Sequence, residues 1–206
     1  MFKAWIEVEV KDKATGKVVA RKRFPAKSWV GNMVAMLRSL FAGCYLSSIS
    51  GTFYGASTPA DMKDIGGLAK GIYIIHGVQT GFGCYAAEGV DSVGIVVGTG
   101  TTPVSLGQYN LVSKIPHGDG SGQLYYYECV ILSLTTDTAW SFKVERMFDN
   151  LSGATITVNE VGLFIYLPTG RAEESIIMLA RDVVSGGIQV PSPGTLTVRY
   201  IISHSL

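Results

Sequence analysis

From Val93 to its end the chain is a series of short apolar or alternating segments, each closed by a turn signal. Trp140, Phe142 and Val144 alternate with Ser141, Lys143 and Glu145. Leu196, Val198, Tyr200 and Ile202 alternate with Thr197, Arg199, Ile201 and Ser203. A period of two sends successive side chains to opposite faces, which is the signature of a strand with one buried side. Residues 93–97, 122–134, 155–158, 161–166 and 175–180 extend the series. Asn150 with Gly153, Pro168-Thr169-Gly170, Gly186-Gly187 and the stretch from Pro191 to Gly194 separate these runs. Many short strands at this spacing predict an all-β sandwich or barrel.

The first residues follow the same rule. Ala4, Ile6, Val8 and Val10 share one face of an extended segment, and Glu7, Glu9 and Lys11 are expected on a solvent face opposite. A polar turn ending at Gly16 and a second strand over 17–24 predict a β-hairpin. The basic run Arg21-Lys22-Arg23 reads as the solvated part of that return strand. One helix is predicted next, because Met33, Met36, Leu37, Leu40 and Phe41 recur at helical spacing and form one apolar stripe. Asn32 is the expected N-cap and Gly43 the expected stop.

Residues 44–92 break the pattern. They are rich in glycine, and only 72–75 suggest a strand. A structureless loop this long is unusual inside a domain. The segment therefore reads as an insertion or arm within a single domain spanning 1–206. Its aromatics Tyr45, Phe53, Tyr54, Tyr73, Phe82 and Tyr85 are too many for a free linker and predict an assembly surface.

Composition narrows the possible functions. Charged residues make up 16% of the chain and hydrophobic ones 47%, against a usual charged share of about 25%. So low a charge predicts burial beyond the chain's own core, in contacts between subunits. A net charge of +1 supplies no broad attraction for nucleic acid or an anionic membrane. No apolar run is long enough to predict a membrane span or an export signal. Cys44, Cys84 and Cys129 are odd in number and lack CxxC spacing, which predicts small buried hydrophobes in a protein folded in a reducing cytoplasm.

Candidate chemistry is sparse. Gly98-Thr99-Gly100 follows an apolar run, but Pro103 stands where a dinucleotide site needs a third glycine, so a glycine-rich turn is expected. His117, Asp119 and Ser121 crowd into one Gly-rich loop, whereas a catalytic triad needs each member held from a different direction. His76, His117 and His204 have no ligand spacing among them. Glu7 with Glu9, and Glu173 with Glu174, do not form a pair across a cleft. No catalytic, cofactor or metal residue is assigned, and no enzyme activity is expected. Glu160 is the exception in character: it interrupts an apolar stretch, and a carboxylate there needs donors. Arg146 and Arg181 are its expected partners in a structural ion pair.

Several phrases carry a resemblance. Phe148-Asp149-Asn150-Leu151-Ser152-Gly153, Ile156-Thr157-Val158-Asn159-Glu160-Val161-Gly162-Leu163, Met178-Leu179-Ala180-Arg181-Asp182-Val183 and Leu196-Thr197-Val198-Arg199-Tyr200 resemble segments of structural proteins of tailed phages and related viruses. Ile188-Gln189-Val190, Pro193-Gly194, Val96-Val97-Gly98-Thr99-Gly100 and Lys114-Ile115-Pro116-His117-Gly118 fit the same pattern, as does the opening strand-turn-strand. The resemblance implies a jelly-roll-like antiparallel β-sandwich made in a host cytoplasm and built into a virion, as a tail, baseplate, collar or capsid-decorating subunit. Its implied partners are further copies of itself and other virion proteins, without membrane or specific nucleic acid. The alternative expectation is a carbohydrate- or receptor-binding module at a tail or fibre tip, where Trp and Tyr stack on sugars.

Overall fold

The two ends of the chain pair with each other. The structure, a computed structural model, describes residues 2–42, 45–46, 53–54, 61–71, 83–133, 139–168 and 174–205. Strand β1 (Phe2–Asp12) lies antiparallel to the last strand, β12 (Gly194–Ser205), in continuous register from Phe2 opposite His204 to Asp12 opposite Gly194. On its other side β1 pairs with β2 (Val18–Pro25), the return arm of the expected hairpin. β12 pairs in turn with β9 (Ala139–Asn150), and β9 with β8 (Tyr125–Ser133). The result is a five-stranded antiparallel sheet, ordered β2-β1-β12-β9-β8.

A smaller sheet packs on it, ordered β11-β10-β7, from β7 (Gly94–Gly98), β10 (Ile156–Pro168) and β11 (Glu174–Val190). The protein is thus an antiparallel β-sandwich with, among the described residues, one short helix. The core lies between the inner faces, where Ile6, Val8 and Val10 meet Val97, Val158 and Val161, all without exposed surface. Burying one such side chain contributes roughly 1.5–3 kcal/mol.

The sequence pattern splits β10 and β11 where the structure does not. Residues 155–158 and 161–166 fall in one strand, and β11 runs on through Gly186-Gly187. Pairing is kept by a bulge: Val158 faces Ile188 while Glu160 faces Val183, so one residue of β10 opposes four of β11. Gly186 and Gly187 have φ of 69° and 59°, which a side chain would strain. Lys22 Nζ fastens the excursion by donating to Ser185 O at 2.7 Å and to Gly187 O. Lys22 is therefore a clasp on this bulge and not part of a solvated basic run.

Helix α1 (Gly31–Ala42) rests against β11 and against the hairpin of β5 (Asp61–Lys63) and β6 (Ala69–Gly71). Met36, Met62, Ile165, Ile177 and Leu179 form a second apolar cluster there. The side chains of Leu37, Leu40 and Phe41 lie outside the described residues, as does Gly43. Asn32 does not cap the helix. It is 7% exposed, its Nδ2 donates to Lys63 O at 2.9 Å and Met178 O at 3.1 Å, and its Oδ1 accepts from Lys63 N at 2.9 Å. A side chain that buries both ends between two neighbouring backbones is drawn away from its own helix terminus.

Residues 61–71 and 83–92 sit on the sandwich. Ile65 N donates to Ile176 O at 3.1 Å, and Ala86 bridges Cys129. Strands β3 (Tyr45–Leu46) and β4 (Phe53–Tyr54) pair with each other. The strand expected over 72–75 lies outside the described residues.

Candidate functional site

The outer face of the small sheet holds a buried ionic hub. Glu160 on β10 and Arg181 on β11 are both wholly buried, with Arg181 Nε 2.5 Å from Glu160 Oε2. Three backbone donors converge on the same carboxylate: Gly100 N at 3.0 Å, Val112 N at 3.1 Å and Ser113 N at 2.7 Å. Arg181 Nη1 reaches on to Thr102 O at 2.9 Å and Gln108 Oε1 at 3.2 Å. The pair clamps the long connection between β7 and β8 across the sheet. Gly98 and Gly100 are required by this approach, since a Cβ on either would stand 2.5 Å from Glu160 Oε1. The glycine-rich turn is an anion-binding concavity whose anion is the protein's own carboxylate.

Arg146 is a correction to the expected ion pair. It lies on the inner face of β9 with Val144 and Phe148, does not bond Glu160, and is also wholly buried. Its partners are carbonyl oxygens: Tyr127 O at 2.8 Å, Val93 O at 3.0 Å, Ile95 O at 3.1 Å, Val90 O at 2.6 Å and Ala87 O at 3.5 Å. A guanidinium has five N–H donors, and here all five find acceptors. The Tyr126 and Phe148 rings stand 4.8 and 5.9 Å from the guanidinium carbon. Burial pulls its pKa below the usual arginine range, yet a guanidinium stays charged at any ordinary pH. Arg146 thus ties residues 87–95 to the core without a carboxylate.

Glu7 and Glu9 are not solvated as expected: they are 8% and 9% exposed. Across the outer face of the large sheet, Glu7 meets Arg21 at 3.0 Å and Arg199 at 3.0 Å, and Arg199 Nε bonds Glu145, which Lys143 meets at 3.0 Å. Burial alone would raise the Glu7 carboxyl, but Arg21 and then Arg199 outweigh it and hold the group below its usual range. Glu145 is lowered the same way by Lys143 and Arg199. Arg23 stacks on Trp5, 5.2 Å from the ring centre.

The loop of His117 is structural. His117 Nδ1 accepts from Tyr126 N at 3.1 Å, and the backbone N–H of His117 donates to Asp91 Oδ2 at 2.9 Å. Asp119 and Ser121 stay exposed in the turn. Among the described residues, no three His, Cys, Asp or Glu side chains are grouped to hold a metal ion; His76 lies outside them. Burial, with Cys129 nearby, pushes the Cys84 thiol up to about 12, and burial raises Cys129 as well. Both are protonated, unreactive thiols; Cys44 lies outside the described residues. Glu173 lies outside them too, and Glu174 starts β11 instead of lying in a turn.

The phrase from Phe148 to Gly153 proves to be a turn lock. Asn150 is wholly buried, donates to Ala154 O and Val190 O at 2.8 Å each, and accepts from Ser152 Oγ at 2.7 Å. Asp149 beside it accepts from Thr195 Oγ1 at 2.6 Å, Tyr127 Oη at 2.8 Å and Lys13.

Of the expected assembly surface, Tyr73 and Phe82 lie outside the described residues, as do the side chains of Tyr45, Phe53 and Tyr54. Tyr85 is 60% exposed. It borders an open groove of about 350 Å3 with Glu88, Tyr127, Glu128 and Met147. Further exposed apolar side chains, not expected from the sequence, lie at the end of the β8–β9 hairpin: Ile131 and Phe142 on one face, 47% and 40% exposed, and Leu132 on the other, 40% exposed. Their signal was present in Val130-Ile131-Leu132, three apolar residues in a row where a half-buried strand alternates.

Comparison of the chain with protein-family models, with curated proteins and with solved structures returned no match. What the geometry defines is an antiparallel β-sandwich whose buried charges are spent on holding its own loops.

Proposed function

We propose that the protein is a structural subunit that works by assembly, of the kind that builds a virus particle: a tail, baseplate, collar or capsid-decorating component. The observation that carries this reading is the exposed apolar pair Ile131 and Phe142, which share one face at the end of the large sheet, with Leu132 exposed on the opposite face. Large apolar side chains left together on a surface mark contacts with another molecule. The buried charges agree with a structural role, because Glu160, Arg181 and Arg146 all clamp backbone. Three of the phrases that resemble virion sandwiches meet at one place: Gly98-Thr99-Gly100, Asn159-Glu160 and Arg181 form the hub. Its place in a particle rests on that resemblance. The test is the mass of the purified protein by light scattering over a wide concentration range. An oligomer is expected, and a monomer at every concentration overturns the reading.

A second reading draws on the Tyr85 groove. Tyr85 and Tyr127 offer ring faces, and Glu88 and Glu128 offer hydroxyl acceptors, which is the chemistry of a sugar site. Saturable binding of oligosaccharides by the wild type, lost in Tyr85→Ala, would favour it. Absence of heat on titration with a glycan panel would dismiss it.

A further inference from the structure

The two edges of the large sheet are built differently. β2 carries Arg21, Lys22, Arg23 and Pro25, the charges and proline that keep an edge from pairing with another chain. At the other edge, β8 pairs with β9 on one side, and among the described residues no strand lies on its far side. Ala86 covers that side at Cys129 through two backbone hydrogen bonds, Ala86 N to Cys129 O and Cys129 N to Ala86 O. Beyond Cys129 the strand reads Val130-Ile131-Leu132 and holds no charge. Outward-facing backbone groups alternate along an antiparallel strand. Since Cys129 points its N–H and C=O away from β9, Ile131 does so too.

We infer that β8 is a self-pairing edge, and that a second copy of this chain adds its own β8 antiparallel to it, across a two-fold axis normal to the sheet. The inference rests on the assembly reading above and specifies its contact. Strand direction selects this partner. Within the sheet each strand runs against its neighbour, so β2 and β8 run the same way. A head-to-tail contact that kept the outer face outside would set β8 parallel to the next copy's β2, a weaker ladder. It would also bring Arg21, Lys22 and Arg23 up to apolar residues. Self-pairing of β8 is antiparallel by symmetry and sets neutral side chains against neutral ones. It makes one ten-stranded sheet from two copies, with Ile131 and Phe142 of both copies on one face and Leu132 of both on the other. Such an isologous contact closes after two subunits.

Sedimentation velocity on the full chain tests this with three variants. Ile131→Pro deletes an outward N–H that β9 does not use, a substitution sheets accept at an edge. Leu132→Lys sets a charge on the exposed face, and Val19→Lys alters the opposite edge. Far-UV circular dichroism checks that each folds. The expected result is a wild-type mass of two chains or an even multiple, with dissociation strengthened about tenfold or more in Ile131→Pro and Leu132→Lys and unchanged in Val19→Lys. An oligomer indifferent to both β8 substitutions overturns the edge contact and leaves the assembly reading standing. A monomeric wild type overturns both. Variants that lose thermal stability with no change in mass also overturn it, because the edge is then covered by the chain itself.

Discussion

Arg181 Nε stands 2.5 Å from Glu160 Oε2 with both side chains wholly buried, and the same carboxylate accepts three backbone N–H groups from the connection between β7 and β8. Removing one partner leaves the other charged and unpaired in the interior, at a cost of about 3–5 kcal/mol. Glu160→Ala and Arg181→Ala should each lower the unfolding free energy by that amount in urea titrations. The double variant Glu160→Leu/Arg181→Met should lose less than the two single losses added together, because no lone charge remains. An additive result would mean that the two groups do not act as a pair.

Gly100 tests the same hub from the backbone side. Its added Cβ would stand 2.5 Å from Glu160 Oε1 and 2.7 Å from Val112 Cβ. Overpacking of this kind costs about 1–3 kcal/mol. Gly100→Ala should therefore destabilise the protein, while Gly107→Ala, where nothing stands within 4 Å, should be nearly neutral. Thermal denaturation of the two variants side by side makes the comparison.

Arg146 uses its whole fork on carbonyl groups, so lysine cannot replace it. An ammonium has three donors at one point, where the site presents acceptors over five residues. Arg146→Lys should cost about 2 kcal/mol or more, since each orphaned buried acceptor costs about 1–3 kcal/mol. Amide exchange should speed up first at the backbone of 87–95. Unchanged exchange there would show that Arg146 does not hold that segment.

Asn32 separates a clamp from a cap. Aspartate caps helices as well as asparagine does, so Asn32→Asp would be harmless at a cap. At the observed site a carboxylate would face Lys63 O and Met178 O with no proton to donate. Asn32→Asp is expected to destabilise at pH 7 at least as much as Asn32→Ala, as measured by the urea midpoint. A silent Asn32→Asp variant would restore the cap.

The outer-face charges set the acid response. Glu7 and Glu145 are held below the ordinary glutamate value of 4.5, and Asp149 below the aspartate value of 3.8. Groups lowered by folding add stability that is complete above their unfolded pKa and is lost as pH falls through the folded one. Asp182 opposes them: burial raises it, so its contribution is present below 3.8 and lost as pH rises through its folded value. Asp12 and Asp91 are lowered too, so five lowered carboxylates stand against one raised group and predict a net fall in unfolding free energy as pH drops below about 4.5. Glu7→Gln should flatten that slope in chemical denaturation from pH 7 to 3; an unchanged slope would show that the Arg21–Glu7–Arg199 contacts carry no linkage.

Local pattern was enough for the strands, because alternation such as Leu196, Val198 and Tyr200 against Thr197 and Arg199 is a property of neighbours in sequence. It marked α1 by its spacing and Glu160 by its apolar setting. It misplaced Asn32 and Arg146, whose partners, Lys63, Met178, Val93 and Ile95, are 31 to 146 residues away in the chain. It also broke β10 and β11 into shorter strands, because a bulge that opposes one residue to four becomes visible only when the strands are paired.

The same division holds for the whole molecule. The sequence by itself determined an all-β sandwich, one helix, and a carboxylate that had to find donors, since periodicity and desolvation act on each segment alone. Only the tertiary structure decided which arginine meets Glu160, that Gly98 and Gly100 make room for it, and that β2 and β8 end the large sheet with opposite characters. Those facts depend on which distant segments are brought side by side, and no single stretch of chain contains that information.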